Sequence, residues 1–101
     1  MINVMVTYTV KPDRVEENEE LVRAVYAGLR EIGDPDVRYA TFKKEDGVTF
    51  VHLAFFPSAA TQAVLSNSPA FQAFQAGLRE RCDVPPNPQP LEPIGSFGLF
   101  D

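Results

Sequence analysis

Residues 46–82 read DGVTFVHLAFFPSAATQAVLSNSPAFQAFQAGLRERC, and the fold turns on this stretch. Asp46-Gly47 is a hairpin turn pair. The strand that follows, 48–56, departs from simple alternation. Val48, Phe50, Ala54 and Phe56 share one face with His52 among them, while Val51, Leu53 and Phe55 share the other. A strand that is apolar on both sides expects cover on both sides. Pro57 ends it. Ser58 is placed to cap a short helix over 59–66, and Ser68-Pro69 restarts the helix with serine as N-cap and proline at the first helical position. Phe71, Phe74, Leu78 and Cys82 then follow one helical stripe, with Gln72, Gln75, Arg79 and Glu80 off it.

Upstream, residues 2–10 alternate. Ile2, Val4, Val6, Tyr8 and Val10 fall on one face and Asn3, Met5, Thr7 and Thr9 on the other, which predicts a strand. Lys11-Pro12 ends it. A helix is expected from about Asp13, with Asp13 as cap and Glu16 completing a capping box. Val15, Val22, Val25, Leu29 and Ile32 form its apolar stripe, and Gly33 and Pro35 stop it. Residues 37–44 form a second strand. Downstream, Asp83–Pro90 holds four of the nine prolines and is expected as a stiff spacer, with a last irregular strand over 91–100. The order is β-α-β-β-α-β, an α+β ferredoxin-like arrangement with an antiparallel four-stranded sheet and both helices on one face. Two helices cover one face only, so a second copy of the sheet is the simplest cover for the other.

Composition narrows the function. At 101 residues a single domain spanning 1–101 is expected. A net charge of −5, with no basic cluster beyond Lys43-Lys44, argues against a nucleic-acid surface. Cys82 is the single cysteine, and no zinc-ligand spacing is present. The acidic run Glu16–Glu20 reads as a solvated helix start rather than a metal site. Neither a signal peptide nor a membrane span is legible, so a cytoplasmic protein without membrane association is expected.

The opening INVMVTYTVKPD, the passage FVHLAFFPSAAT and the helix start SNSPAFQAFQAGLRERC resemble the antibiotic-biosynthesis-monooxygenase-like family of the dimeric α+β barrel proteins. The resemblance spans nearly the whole chain. It implies a homodimer in which two sheets face each other as a barrel, and a ligand cavity between sheet and helices in each subunit. Activities in that family include cofactor-independent oxygenation of electron-rich aromatics, haem degradation and small isomerase or decarboxylase chemistry. The chain departs from family patterns at three places. Ala54 and Phe56 stand where members carry a Glu-x-Trp pair. Ala63, Val64 and Leu65 stand where a helical histidine is common. Met5, Phe56 and Gln75 stand at the asparagine, tryptophan and histidine of haem-degrading members. Haem binding is therefore not expected, nor any other cofactor or metal.

His52, the single histidine, is the candidate acid/base. Its apolar surroundings equally suit a packed histidine. Asn3, Met5 and Thr7 on the first strand, Phe50, Phe56, Phe71 and Phe74, and Gln75 at the family's ligand position are the candidate binding residues for a small apolar or aromatic ligand. Tyr8, Tyr26 and Tyr39 could each donate a phenol, but tyrosines at sheet and dimer surfaces are ordinary. Arg38 and Arg79 read as surface ion-pairing groups, and Cys82 as packing. Two functions follow: a cofactor-independent monooxygenase acting on small electron-rich aromatics, or a non-catalytic ligand-binding or structural dimer of the same fold. A regulatory amino-acid-binding domain would share the element order, but Lys11-Pro12-Asp13 replaces the glycine-rich loop it uses after the first strand.

Overall fold

The computed structural model describes residues 1–99. Strand β1 (Ile2–Val10) leads through a 3-10 turn, Pro12–Arg14, into helix α1 (Val15–Ile32). Strands β2 (Arg38–Lys43) and β3 (Thr49–Phe56) form a hairpin. Helices α2 (Ala59–Ser66), α3 (Pro69–Ala76) and the single turn α4 (Leu78–Arg81) then lead to β4 (Cys82–Pro90). The sheet is antiparallel throughout, in the order β2-β3-β1-β4. This is the expected ferredoxin-like topology. Among the described residues no helix is long and apolar enough to cross a membrane.

β3 holds the centre beside β1. Its register with β1 runs unbroken from Ile2↔Phe56 to Thr9↔Thr49, so no bulge rotates its side chains. Phe50, His52, Ala54 and Phe56 are therefore all buried on the helix-covered face. The hairpin before it is pinned by Asp46, whose Oδ1 accepts from the backbone N–H groups of Val48 (3.0 Å) and Thr49 (2.9 Å). Gly47 takes φ 77° there, a conformation that favours glycine.

Ser58 caps α2 through its hydroxyl, which accepts from Thr61 N–H, and Ser68 caps α3 in the same way from Phe71 N–H. Gly33 closes α1 in the left-handed region. The start of α1 differs from expectation. Pro12–Arg14 forms the 3-10 turn, Asp13 makes no capping bond, and Arg14 instead holds Glu17 in a bidentate pair at 2.6 and 2.9 Å. Ile32, placed on the apolar stripe, is half exposed, whereas Asn18 on the same stripe is fully buried.

The larger correction concerns the last strand. It is the proline-rich segment itself, Cys82–Pro90, that pairs with β1, and residues 91–99 carry no strand. Residue 100 of the predicted strand lies outside the described residues. The physical reason is parity. Leu91 N–H donates to Asn3 O (2.8 Å), so the backbone of residues 87, 89 and 91 faces β1. Pro86, Pro88 and Pro90 alternate with them and turn their donor-less nitrogens away from the sheet. At an edge strand those nitrogens have no ladder to break. The register shift between Thr7↔Asn87 and Thr9↔Val84 places a bulge at Pro85-Pro86, where the alternation changes phase.

The core lies between the sheet and the helices: Tyr8, Val10, Phe50, Ala54 and Phe56 from the sheet, Val22, Val25, Leu65, Phe74 and Leu78 from the helices. The opposite sheet face carries Met5, Val51, Leu53, Phe55 and Phe42; no helix or strand of the described chain lies over Met5, Val51, Leu53 or Phe42, and Phe42 is 56% exposed.

Candidate functional site

A cavity of about 730 Å³ opens between the helix-covered sheet face and α2–α4. Its wall is formed by Val4, Val6 and Tyr8 of β1, Tyr39 of β2, His52, Ala54 and Phe56 of β3, Leu65 of α2, and Phe71 and Phe74 of α3. Gln62, Ser66, Gln75, Arg79 and Glu80 add polar groups. Alternation delivers the sheet side chains to one face. β3 sits between β1 and β2, so a residue on it reaches neighbours on both sides.

His52 uses that position. It is 4% exposed, and both ring nitrogens are engaged. Nε2 lies 2.7 Å from the hydroxyl of Tyr8 on one side. Nδ1 lies 2.6 Å from the hydroxyl of Tyr39 and 3.1 Å from Oγ1 of Thr41 on the other. Thr41 Oγ1 is in turn 2.7 Å from the hydroxyl of Tyr26. Aromatic rings enclose the imidazole: its centroid is 5.2 Å from Tyr8, 5.6 Å from Tyr39 and 5.4 Å from Phe74.

Beneath Tyr8 the network continues into the core. Asn18 Nδ2 donates to the Tyr8 hydroxyl (3.0 Å), and Arg81 Nε donates to Asn18 Oδ1 (3.3 Å). Arg81 is 2% exposed. Its terminal nitrogen donates to Phe74 O (2.8 Å), and its guanidinium lies 5.5 Å from the Phe74 ring centroid. Among the described residues no carboxylate forms an ion pair with it. A buried guanidinium tolerates that only because carbonyl oxygens and a π-face replace part of its hydration.

Burial dominates the titration of the site. Desolvation pushes the pKa of His52 down to about 4, so the imidazole is neutral at pH 7. The same desolvation pushes the phenols of Tyr8 and Tyr39 well above their ordinary value, which keeps both as neutral donors. Desolvation also lowers Arg81, against the opposing field of Glu17.

His52, Phe56, Phe71, Phe74 and Gln75 line the cavity. Phe50 lies behind it, stacked on Tyr8 at 5.6 Å. Asn3, Met5 and Thr7 are elsewhere: they point from the opposite sheet face, away from the cavity, because their parity on β1 is opposite to that of Val4, Val6 and Tyr8. The Asn3 side-chain oxygen is buried without a hydrogen-bond partner among the described residues. The sequence reading passed over Tyr8, Tyr39, Asn18 and Arg81. Signals existed for three of them. Tyr8 shares parity with Val4 and Val6. Asn18 sits on the stripe of Val15, Val22 and Val25. Arg81 is seven residues, two helical turns, beyond Phe74.

Among the described residues no group of three or more His, Cys, Asp or Glu is placed to hold a metal ion. No protein-family model and no curated protein sequence matches the chain. Solved structures do. Rv0793 from Mycobacterium tuberculosis superposes with a TM-score of 0.78 at 20% identity, over 94% of this chain and 96% of that one. A putative antibiotic biosynthesis monooxygenase from Nitrosomonas europaea gives 0.77 at 16% identity, over 94% and 100%. The N63A variant of SnoaB from Streptomyces nogalater, a cofactor-independent oxygenase, gives 0.71 at 14% identity, over 96% of this chain and 96% of that one. Over nearly its whole length the chain has the fold of the antibiotic biosynthesis monooxygenase-like proteins, as the sequence resemblance implied.

Proposed function

We propose that the protein binds a small electron-rich aromatic compound in the cavity beneath the helices and oxygenates it without a bound cofactor. The observation that carries this reading is the cavity itself: aromatic walls from Phe56, Phe71, Phe74 and Tyr39, with a short polar row of Tyr8, His52 and Tyr39 at one wall. An apolar cleft with a few convergent polar groups suits one flat ligand. The name of the SnoaB neighbour supports the class of chemistry. In such a reaction a phenol or anthrone gives a proton to solvent at the open mouth of the cavity, and its anion gives an electron to dioxygen. The radical pair joins as a peroxide anion, which regains a proton from solvent to form a hydroperoxide, and this loses water to leave a quinone. The protein supplies a dry cavity and donors for the developing oxyanion. With both nitrogens engaged, His52 serves as a neutral imidazole that holds Tyr8 and Tyr39 in place. Gln75, which lines the cavity from α3, would offer its side-chain amide to a second ligand oxygen.

The working unit in this reading is a homodimer paired through the open sheet face. The exposed side chain of Phe42 beside Leu53 on the open face, and the buried Asn3 oxygen that lacks a donor among the described residues, support a second sheet over them.

One observation favours the non-catalytic alternative: no lone pair of His52 is free to take a proton. Oxygen uptake separates the two readings. Anthrone and 1,5-dihydroxynaphthalene, each added to the purified protein in an oxygen electrode, are expected to consume oxygen above the protein-free rate. His52→Ala is expected to abolish the excess. Ligand binding with no excess uptake would leave the binding reading in its place.

A further inference from the structure

The hydrogen bonds around His52 have a direction, and that direction begins at Arg81. A guanidinium only donates. Arg81 Nε therefore faces the carbonyl oxygen of Asn18, and the Asn18 amide nitrogen is left to donate to Tyr8 (3.3 and 3.0 Å). Tyr8 is 1% exposed, and His52 Nε2, 2.7 Å away, is the one acceptor within reach of its hydroxyl proton among the described residues. Were Nε2 protonated instead, that hydroxyl proton would be buried with no partner, which is costly. Nε2 is therefore the bare nitrogen. A neutral imidazole carries its proton on the other, so Nδ1–H donates to the Tyr39 oxygen at 2.6 Å, with Thr41 Oγ1 at 3.1 Å as a second acceptor. Tyr39 then receives a hydrogen bond and has its own proton to place. Unlike Tyr8 it is only partly buried, and it lines the cavity.

We infer that Arg81, Asn18, Tyr8 and His52 form a one-way donor chain that ends in the Tyr39 hydroxyl, and that Tyr39 presents its proton to a carbonyl or phenolate oxygen of the bound ligand. The inference rests on the aromatic-cavity reading above and narrows it. The ligand carries an acceptor oxygen at the edge of its ring system, and an oxyanion formed there is met by a donor whose own oxygen is already polarised by His52. Each link strengthens the next, because a hydroxyl that accepts a hydrogen bond donates a stronger one. A ligand offering only a donor at that position meets the Tyr39 proton head-on and is disfavoured.

Two measurements test this. His52 is the only histidine, so long-range proton–nitrogen correlation spectra of the full chain give one imidazole pattern without assignment. The expected pattern is the Nδ1–H tautomer at neutral pH; the Nε2–H tautomer would overturn the chain. Binding is then compared for 1-tetralone and tetralin, two bicycles that differ in one carbonyl. The ketone is expected to bind about tenfold more tightly, the value of one hydrogen bond. Tyr39→Phe should erase that preference while tetralin affinity stays within about twofold. This variant keeps an acceptor for Nδ1–H in Thr41, so the tautomer is expected to persist, which reports that the site has not collapsed. Equal affinity of the wild-type protein for the two bicycles would overturn the role of Tyr39 alone. Binding of neither would overturn the aromatic-cavity reading, and this inference with it.

Discussion

The hydroxyl of Tyr8 stands 2.7 Å from Nε2 of His52, joining β1 to β3 across 44 residues of sequence inside the core. The two residues are not direct cross-strand partners; His52 is opposite Val6 in the register, and Tyr8 is opposite Phe50. The bond is diagonal, within reach of two long side chains on one sheet face. It converts two residues of an apolar face into the middle of a polar network.

Tyr8→Phe should therefore destabilise the fold more than its lost oxygen suggests. The substitution keeps the ring stacked on Phe50 but leaves an Asn18 N–H and His52 Nε2 buried without partners. The expected loss is about 3 kcal/mol. Tyr26→Phe, at a half-buried hydroxyl bonded to Thr41, is expected to lose about 1 kcal/mol. Urea unfolding of the two variants side by side checks the difference. Equal losses would show that the inner network carries no special weight.

Stability should also fall in mild acid, and His52 fixes the window. Its folded pKa is about 4, below the value of about 6.5 for an unfolded chain. Between those values the unfolded chain binds a proton that the folded one refuses, so unfolding becomes easier as pH drops from about 6.5 towards 4. The full shift amounts to about 3 kcal/mol. His52→Gln should be less stable at pH 7 yet show a flatter profile across this window. A wild-type profile that stays level from pH 6.5 to 4.5 would contradict the buried neutral imidazole.

How much of this was legible in the sequence depended on what each residue type announces. The element order, the two-faced β3 and the serine caps at Ser58 and Ser68 were readable because alternation, helical spacing and cap chemistry are local. The side of β3 on which His52 lies was readable for the same reason, given an unbroken register. β4 was not. Prolines at 86, 88 and 90 read as a spacer until the neighbouring strand shows which backbone edge they turn outward. The polar network was equally hidden. Asn18 and Arg81 sit on helical stripes where a polar residue looks like an exception, and only three-dimensional proximity explains both exceptions together. The Asn3, Met5 and Thr7 set went to the cavity because mixed polarity on one strand face suggests a binding site. Its parity places it under the open face instead.

The proline edge leads to a prediction about association. Pro88 and Pro90 withhold N–H groups from the outer side of β4, where another chain's strand would otherwise pair. Replacing both with threonine restores the donors without disturbing the bonds to β1. Thermal stability should change by less than about 1 kcal/mol, while light scattering during prolonged incubation at 37 °C should rise well above that of the wild type. A variant that stays as clear as the wild type would indicate that the bulge and the following segment, rather than the prolines, guard this edge.

The open sheet face gives the most direct test of the proposed dimer. Leu53 follows His52 in sequence but points to the opposite side of the sheet, between Met5 of β1 and Ala40 of β2. A carboxylate there is soluble on a free face and strongly unfavourable between two packed sheets. In light scattering coupled to size-exclusion chromatography, the wild-type protein is expected at twice the chain mass. Leu53→Asp should run at the monomer mass, with Leu53→Met as a control that keeps the dimer. Because the cavity lies on the other face, the imidazole signature of His52 should survive in the Leu53→Asp monomer if each chain builds its site alone. Loss of that signature together with the dimer would mean that the second sheet is needed to hold β3 in register. A monomeric wild-type protein would remove the dimer and leave the apolar row of Val51, Leu53 and Phe42 to another partner.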